Sequence, residues 1–161
     1  MKRERIPDLI SEIQDEMRML EVLVKGIRET AVSLPKNAEK RKIYEESLAL
    51  KLHNFYTGCE RNFQKIASDI NGGVPASMDW HRRLLKSMSL EIDKIRPPVI
   101  SKNTEKGLEE FLAFRHVIRN IYGFEIESER LHRLTGRAAK IWGALKKDLK
   151  LFIHFLHEMA S

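Results

Sequence analysis

The sequence predicts an all-α protein, an up-and-down bundle of about five helices, and three observations predict it. Apolar residues recur at intervals of three and four over long stretches, the period of an amphipathic helix. Turn-forming residues are few and clustered. No convincing period-two alternation marks a strand anywhere. The breaks fall at Leu34-Pro35-Lys36-Asn37, at Asn71-Gly72-Gly73-Val74-Pro75, at Arg96-Pro97-Pro98 and near Gly123.

Between these breaks each helix has its own register. In the first, Ile10, Ile13, Met17, Leu20, Val24, Ile27 and Ala31 alternate steps of three and four. In the second, Leu48, Leu52, Phe55, Cys59, Phe63, Ile66 and Ile70 step by 4, 3, 4, 4, 3 and 4. A third, shorter helix starts near Asp79, a residue able to cap its open N–H groups, and turns Leu84, Leu85 and Met88 inward. The fourth runs from about Asn103 to Tyr122. The last carries Leu134, Ala138, Ile141, Leu145, Leu149, Phe152, Leu156 and Met159. Several of these helices reach about 25 residues or more, long against a globular mean of about 11–12, and long helices joined by short turns make an up-and-down bundle. No internal repeat or low-complexity tail appears, so residues 1–161 read as one domain.

Composition narrows the function classes. At 161 residues, with 42% hydrophobic and 32% charged side chains, the chain is globular and not disordered. Its 29 Lys and Arg exceed its 23 Asp and Glu, a net charge of +6 that favours anionic partners. The excess is uneven: residues 1–77 hold 13 basic and 12 acidic side chains, residues 78–161 hold 16 and 11. An anion-binding site is therefore expected in the C-terminal half. The single Cys59 excludes a disulfide framework and a multi-cysteine zinc site, and suits a reducing cytoplasm. No apolar run approaches the roughly 18 residues of a membrane span, and the basic MKRERIPDL start has no apolar stretch after it to make a secretory signal.

The unusual stretch is Phe114-Arg115-His116-Val117-Ile118-Arg119-Asn120-Ile121-Tyr122-Gly123-Phe124. On a helix advancing about 100° per residue, Arg115, Arg119 and Tyr122 form one stripe. Phe114, Val117, Ile118 and Ile121 make the apolar face beside it, and His116 and Asn120 fall on the far side of the arginines. Like charges at i and i+4 repel, and no acid on this helix is in register to offset them. An anion relieves that repulsion, and guanidinium forks suit phosphate oxygens. His116 is the one side chain in this stretch that titrates close to neutrality, so it can move a proton. Arginines on a bundle helix also pair with carboxylates of neighbouring helices, and Glu45, Glu46 and Glu60 are available.

This stretch resembles the signature of the HEPN superfamily, and within it the HepT-like toxins. Their motif is an Arg, usually followed by Asn, then a His five positions after the Arg and a Tyr two beyond that. Phe114-Arg115 and Tyr122 match in identity and spacing, whereas the His position holds Asn120 and the Asn position holds His116, as though exchanged. His53-Asn54-Phe55-Tyr56-Thr57-Gly58-Cys59-Glu60 and Trp80-His81-Arg82-Arg83-Leu84-Leu85 are similar to segments of a HepT-like branch with this variant motif.

The resemblance implies a helical homodimer whose motif helices face a cleft at the dimer interface. It implies RNA cleavage with neither metal nor cofactor, the Arg holding the scissile phosphate and the His assisting attack by the ribose 2′-hydroxyl. It also implies a partner, a minimal nucleotidyltransferase antitoxin that silences the toxin by attaching AMP to the motif Tyr. Carried over, Arg115 is the phosphate binder and Tyr122 the modification site, with Arg119 an added cation for a pentavalent phosphate. Asn120 cannot be a general base, because an amide does not ionise usefully near neutral pH. Either His116 supplies the proton chemistry from about one turn away, with Asn120 and Tyr122 orienting a tRNA or mRNA substrate, or the site binds RNA or nucleotide without cutting.

The remaining candidates read as structural. Cys59 sits on an apolar stripe and reads as a small core residue. His154 and His157 lie three apart with no third metal ligand evident. His53 and His81 pack beside aromatic residues, with the same cleft as an alternative place for them. Trp80 and Trp142 have the spacing of core or dimer contacts. Gly72-Gly73 lacks the pattern of a phosphate loop. Lys146, Lys147 and Lys150 form a solvated face, with RNA backbone as an alternative contact.

Overall fold

The computed structural model describes residues 3–120 and 126–161, with the side chain of Asn120 outside that description. After a single 3-10 turn at Arg3–Arg5 come α1 (Ile6–Val32), α2 (Ala38–Asp69), α3 (Trp80–Met88), α4 (Lys102–Asn120) and α5 (Ser128–Ala160). The fold is an all-α bundle, and no strand occurs among the described residues. Three of the helices run to 27, 32 and 33 residues, the lengths their unbroken periodicity requires.

The ends of the helices follow from local chemistry. Pro7 sits in the first turn of α1, where its missing N–H is no loss. The Asn37 carboxamide oxygen accepts from the Lys40 amide at 3.1 Å, which starts α2 directly after the Pro35 break. At the other end of α2, Gly72 and Gly73 have φ of +83° and +145°, and the Gly73 amide returns to the Ala67 carbonyl at 3.0 Å. The Ser101 hydroxyl caps α4 by accepting from the Thr104 amide at 3.1 Å. Asp148 of α5 accepts from both the Ser101 amide and the Thr104 hydroxyl, so this cap also fixes α4 against α5.

One cap differs from expectation. Asp79 occupies the N-cap position of α3 but makes no side-chain bond to the helix. Its backbone is not extended (φ −100°, ψ 22°), which turns the carboxylate away from the open amides, and the Ser77 hydroxyl donates to it at 2.6 Å instead.

The stripes of α1, α2 and α5 pack into one core. Leu9, Ile13, Leu20 and Ile27 of α1 meet Leu48, Leu52, Phe55 and Phe63 of α2, and Leu134, Leu145, Leu149 and Leu156 of α5. Ala31 and Met159, at the ends of their stripes, are only partly buried. Arg5, just ahead of α1, pairs with Asp69 at the end of α2 at 3.2 Å, as their antiparallel arrangement allows. The Glu21 carboxylate accepts from the Trp142 indole at 2.7 Å and from Lys146 at 2.8 Å, closing the α1–α5 seam; Trp142 is thus a core residue with its one polar atom satisfied. Gly107 of α4 lets that helix approach α5 closely: a Cβ there would run into Ile141. α2 touches all four other helices.

The segment between α3 and α4 is held by Arg96, only 3% exposed. Its guanidinium donates to the Asn71 carboxamide at 2.8 Å and to the carbonyls of Leu90, Pro97 and Ser87 at 3.0, 3.0 and 3.1 Å. With no carboxylate beside it, burial lowers its pKa from the usual arginine value. The Pro97-Pro98 break therefore carries a structural cation that ties α3 to the end of α2.

Candidate functional site

α4 delivers the motif residues, and its buried face is turned from the one expected. Leu108, Phe111 and Phe114 are buried and Ile118 partly so, which centres the face on a line that includes Arg115. Arg115 is accordingly only 9% exposed, whereas Val117 is 37% exposed and His116 and Arg119 are on the outside. The expected Arg115–Arg119 stripe thus divides, Arg115 inward and Arg119 outward. Val117 leaves the core because it faces an open cleft.

Arg115 meets a carboxylate from α2. Its Nη1 donates to Glu60 Oε1 at 2.9 Å, and Glu60 is itself 3% exposed. The guanidinium carbon lies 5.9 Å from the centre of the Tyr56 ring, within cation–π range. Arg115 Nε and the Tyr56 hydroxyl, both buried, have no hydrogen-bond partner among the described residues. Burial, followed by the nearby Glu60 charge, pushes the Tyr56 phenol well above its ordinary pKa. Among the described residues, Glu60 is the glutamate that pairs with Arg115. Glu45 is taken by Arg41, Ser128 and His132.

The other Glu60 oxygen holds His81 of α3, with Nδ1 2.7 Å from Oε2. An ionised carboxylate only accepts, so Nδ1 carries the proton and Nε2 is the acceptor nitrogen of the neutral ring. The 3.2 Å approach of Arg115 Nη1 to the same Nδ1 is then two donors sharing one carboxylate. Trp80 stacks on the imidazole, ring centres 3.6 Å apart, and fixes its plane. Trp80 is half-buried and serves this contact.

Beside this cluster lies a cleft of about 770 Å³ between α3, α4 and the start of α5. His81, Arg82, Glu109, His116, Val117 and Arg130 line it, with Leu112 and Ala113 among the apolar lining. Arg130 is placed by packing its guanidinium 5.9 Å from the centre of the Phe114 ring. The cleft combines two imidazoles and two guanidinium groups with the carboxylates of Asp79 and Glu109 and apolar walls; its guanidinium groups are able to hold a phosphodiester and its imidazoles to move protons.

Of the residues singled out in sequence, the structure brings His116 to this cleft and sets Arg115 behind His81, outside the lining. Arg119 stands exposed one turn further on, and Asn120 ends α4. Tyr122 lies outside the described residues. His81 joins the cleft as well as packing. Its partner Glu60 sits next to Cys59 in the apolar register of α2, and a charge in such a register is the signal that marks it. Nothing local marks Arg130.

The other candidates fall elsewhere. Cys59 is fully buried, and burial, then the nearby Glu16 charge, push its thiol far above the ordinary value, away from nucleophilic chemistry. His53 is half-buried and approaches the Asn54 carboxamide at 3.3 Å. His154 and His157 are exposed, the former 3.5 Å from Glu158. Among the described residues no group of three His, Cys, Asp or Glu side chains is arranged to hold a metal, and no helix is long and apolar enough to cross a membrane.

The five-helix all-α bundle is consistent with a HEPN-like fold. Residues 47–156 match the family described as HepT-like protein, and the chain belongs to that family. The matched span runs from the third turn of α2 into the last turns of α5 and takes in Glu60, His81 and the whole Phe114–Phe124 stretch. No curated protein and no solved structure matches the chain.

Proposed function

We propose that this HepT-like protein is the toxin of a toxin–antitoxin pair, a cytoplasmic endoribonuclease that needs neither metal nor cofactor. In this reading it acts as a homodimer and cuts tRNA or mRNA. A minimal nucleotidyltransferase antitoxin silences it by transferring AMP to Tyr122. The observation that carries the reading is the placement of His116 in an open cleft whose inner wall is backed by the buried Arg115.

The chemistry is an in-line displacement within the RNA. The ribose 2′-oxygen attacks the adjacent phosphorus, the P–O5′ bond breaks, and the products are a 2′,3′-cyclic phosphate and a free 5′-hydroxyl. Two protons must move, one from the 2′-hydroxyl and one to the departing O5′. His116, exposed at the cleft, is the proton carrier. Arg119 meets phosphate from the exposed side of α4 and is able to offset the charge that grows on the non-bridging oxygens, while Arg115, buried behind His81 and bonded to Glu60, holds the inner wall of the cleft. Asn120 and Tyr122 orient the substrate.

A second reading is a non-catalytic module that docks a nucleotidyltransferase and holds RNA or nucleotide. It is favoured by the engagement of Arg115 with Glu60 and by the amide at Asn120. Incubation of total RNA and tRNA with the purified protein in EDTA, beside His116→Ala, separates the two. Cleavage that the variant loses supports the nuclease with His116 as proton carrier. Absence of cleavage by protein whose mass shows Tyr122 unmodified supports the binding module.

A further inference from the structure

We propose that His81 is a second catalytic group of the same cleft, the base that takes the proton from the ribose 2′-hydroxyl, with Glu60 and Arg115 as the residues that position it. The proposal rests on the nuclease reading above and supplies what that reading lacks, a second proton carrier.

Three observations converge on it. The Glu60 carboxylate binds Nδ1 at 2.7 Å, which fixes the tautomer and leaves Nε2 as the basic atom. The Trp80 ring, stacked at 3.6 Å, fixes the plane of the imidazole. His81 and His116 line one cleft, from α3 on one wall and α4 on the other. A carboxylate behind an imidazole stabilises the imidazolium that forms when Nε2 takes a proton, so His81 is better suited to the base and the solvent-exposed His116 to the acid.

The step balances. His81 begins neutral and His116 protonated; the 2′-hydroxyl proton passes to His81 Nε2 as O2′ bonds to phosphorus. The electrons of the breaking P–O5′ bond stay on O5′, which takes the proton of His116. Exchange with water restores both rings. Arg115 has its charge offset by Glu60, and this shared carboxylate ties phosphate-side and proton-side residues into one unit. The charged and titratable groups around His81 are Glu60 from α2 and Arg115 from α4, which contact it, and Asp79, Arg82, Glu109, His116 and Arg130, which line the cleft with it.

His81→Asn tests the assignment, because an asparagine amide can occupy the place of Nδ1 and keep the bond to Glu60 while Nε2 is lost. Unmodified wild type should cut RNA with a bell-shaped pH profile. The variant should keep its melting transition and its RNA affinity, lose cleavage about 10²–10⁴-fold, and lose the rise of rate on the acid limb. A folded variant that cuts at the wild-type rate with both limbs intact overturns the role of His81 and leaves the nuclease standing. Wild type that cuts no RNA at any pH removes the nuclease reading, and this role with it. A second measurement needs no variant: the His81 Nε2 resonance of wild type should shift on addition of uridine 2′,3′-cyclic phosphate, and a resonance that this probe leaves unmoved while His116 responds overturns the proposal.

Discussion

Arg115 donates to Glu60 across 2.9 Å between residues 55 apart in sequence, with only 10% and 4% of the two side chains exposed. Each is the other's compensation for leaving water. Of the two, the carboxylate has a further partner in His81 and the guanidinium does not have a second carboxylate among the described residues.

That asymmetry sets an order of stabilities. Glu60→Ala strands the Arg115 charge in the interior and is expected to cost about 3–5 kcal/mol. Arg115→Ala leaves Glu60 with His81 and is expected to cost less. Urea denaturation of the two variants reads the order directly. On the proposed function, Arg115→Ala also abolishes growth inhibition while circular dichroism stays helical; persistent toxicity in the folded variant removes Arg115 from the site.

Arg96 supports the α3–α4 connection with four hydrogen bonds to neutral acceptors. Arg96→Ala leaves the carbonyls of Ser87, Leu90 and Pro97 and the Asn71 carboxamide short of a donor. The expected cost is above about 2 kcal/mol, seen as a lower denaturation midpoint. Arg96→Lys restores the charge but not the planar fork and should recover only part of it.

Glu105 predicts a pH dependence. Burial pushes its carboxyl up, but the Ser89 hydroxyl and the Lys102 ammonium outweigh that and hold it below the ordinary value. A carboxylate with a lowered folded pKa adds stability above its unfolded pKa and loses it as pH falls through the folded one. Stability should therefore decline through the acid range, and Glu105→Gln should flatten that decline while lowering stability near neutrality, where the wild-type carboxylate contributes. Thermal melts from about pH 7 to pH 3 check it. An unchanged slope in the variant removes Glu105 from the effect.

The helices were legible because each long helix repeats its apolar spacing many times, so one ambiguous residue does not shift the register. The site was less so. The face of α4 read from Phe114–Phe124 alone points toward Val117; Phe111 and Leu108, one and two turns earlier, rotate it onto Arg115. Arg96 beside Pro97-Pro98 has the look of a loop, and its burial depends on acceptors from Asn71 and from carbonyls that only the folded chain gathers. Asp79 has the right residue type for a cap, yet the backbone ahead of α3 turns its carboxylate to Ser77. His81 and Glu60 are 21 residues apart and on different helices, so no spacing rule connects them.

α3 is nine residues long, below the roughly 12–15 at which a helix in isolation is even marginal in water. The wall that carries His81 exists only while it is packed on α2 and α4. A nascent or partly unfolded chain would hold the same imidazoles without their alignment, so the chemistry assigned to this cleft would switch on only once maturation of the polypeptide is complete.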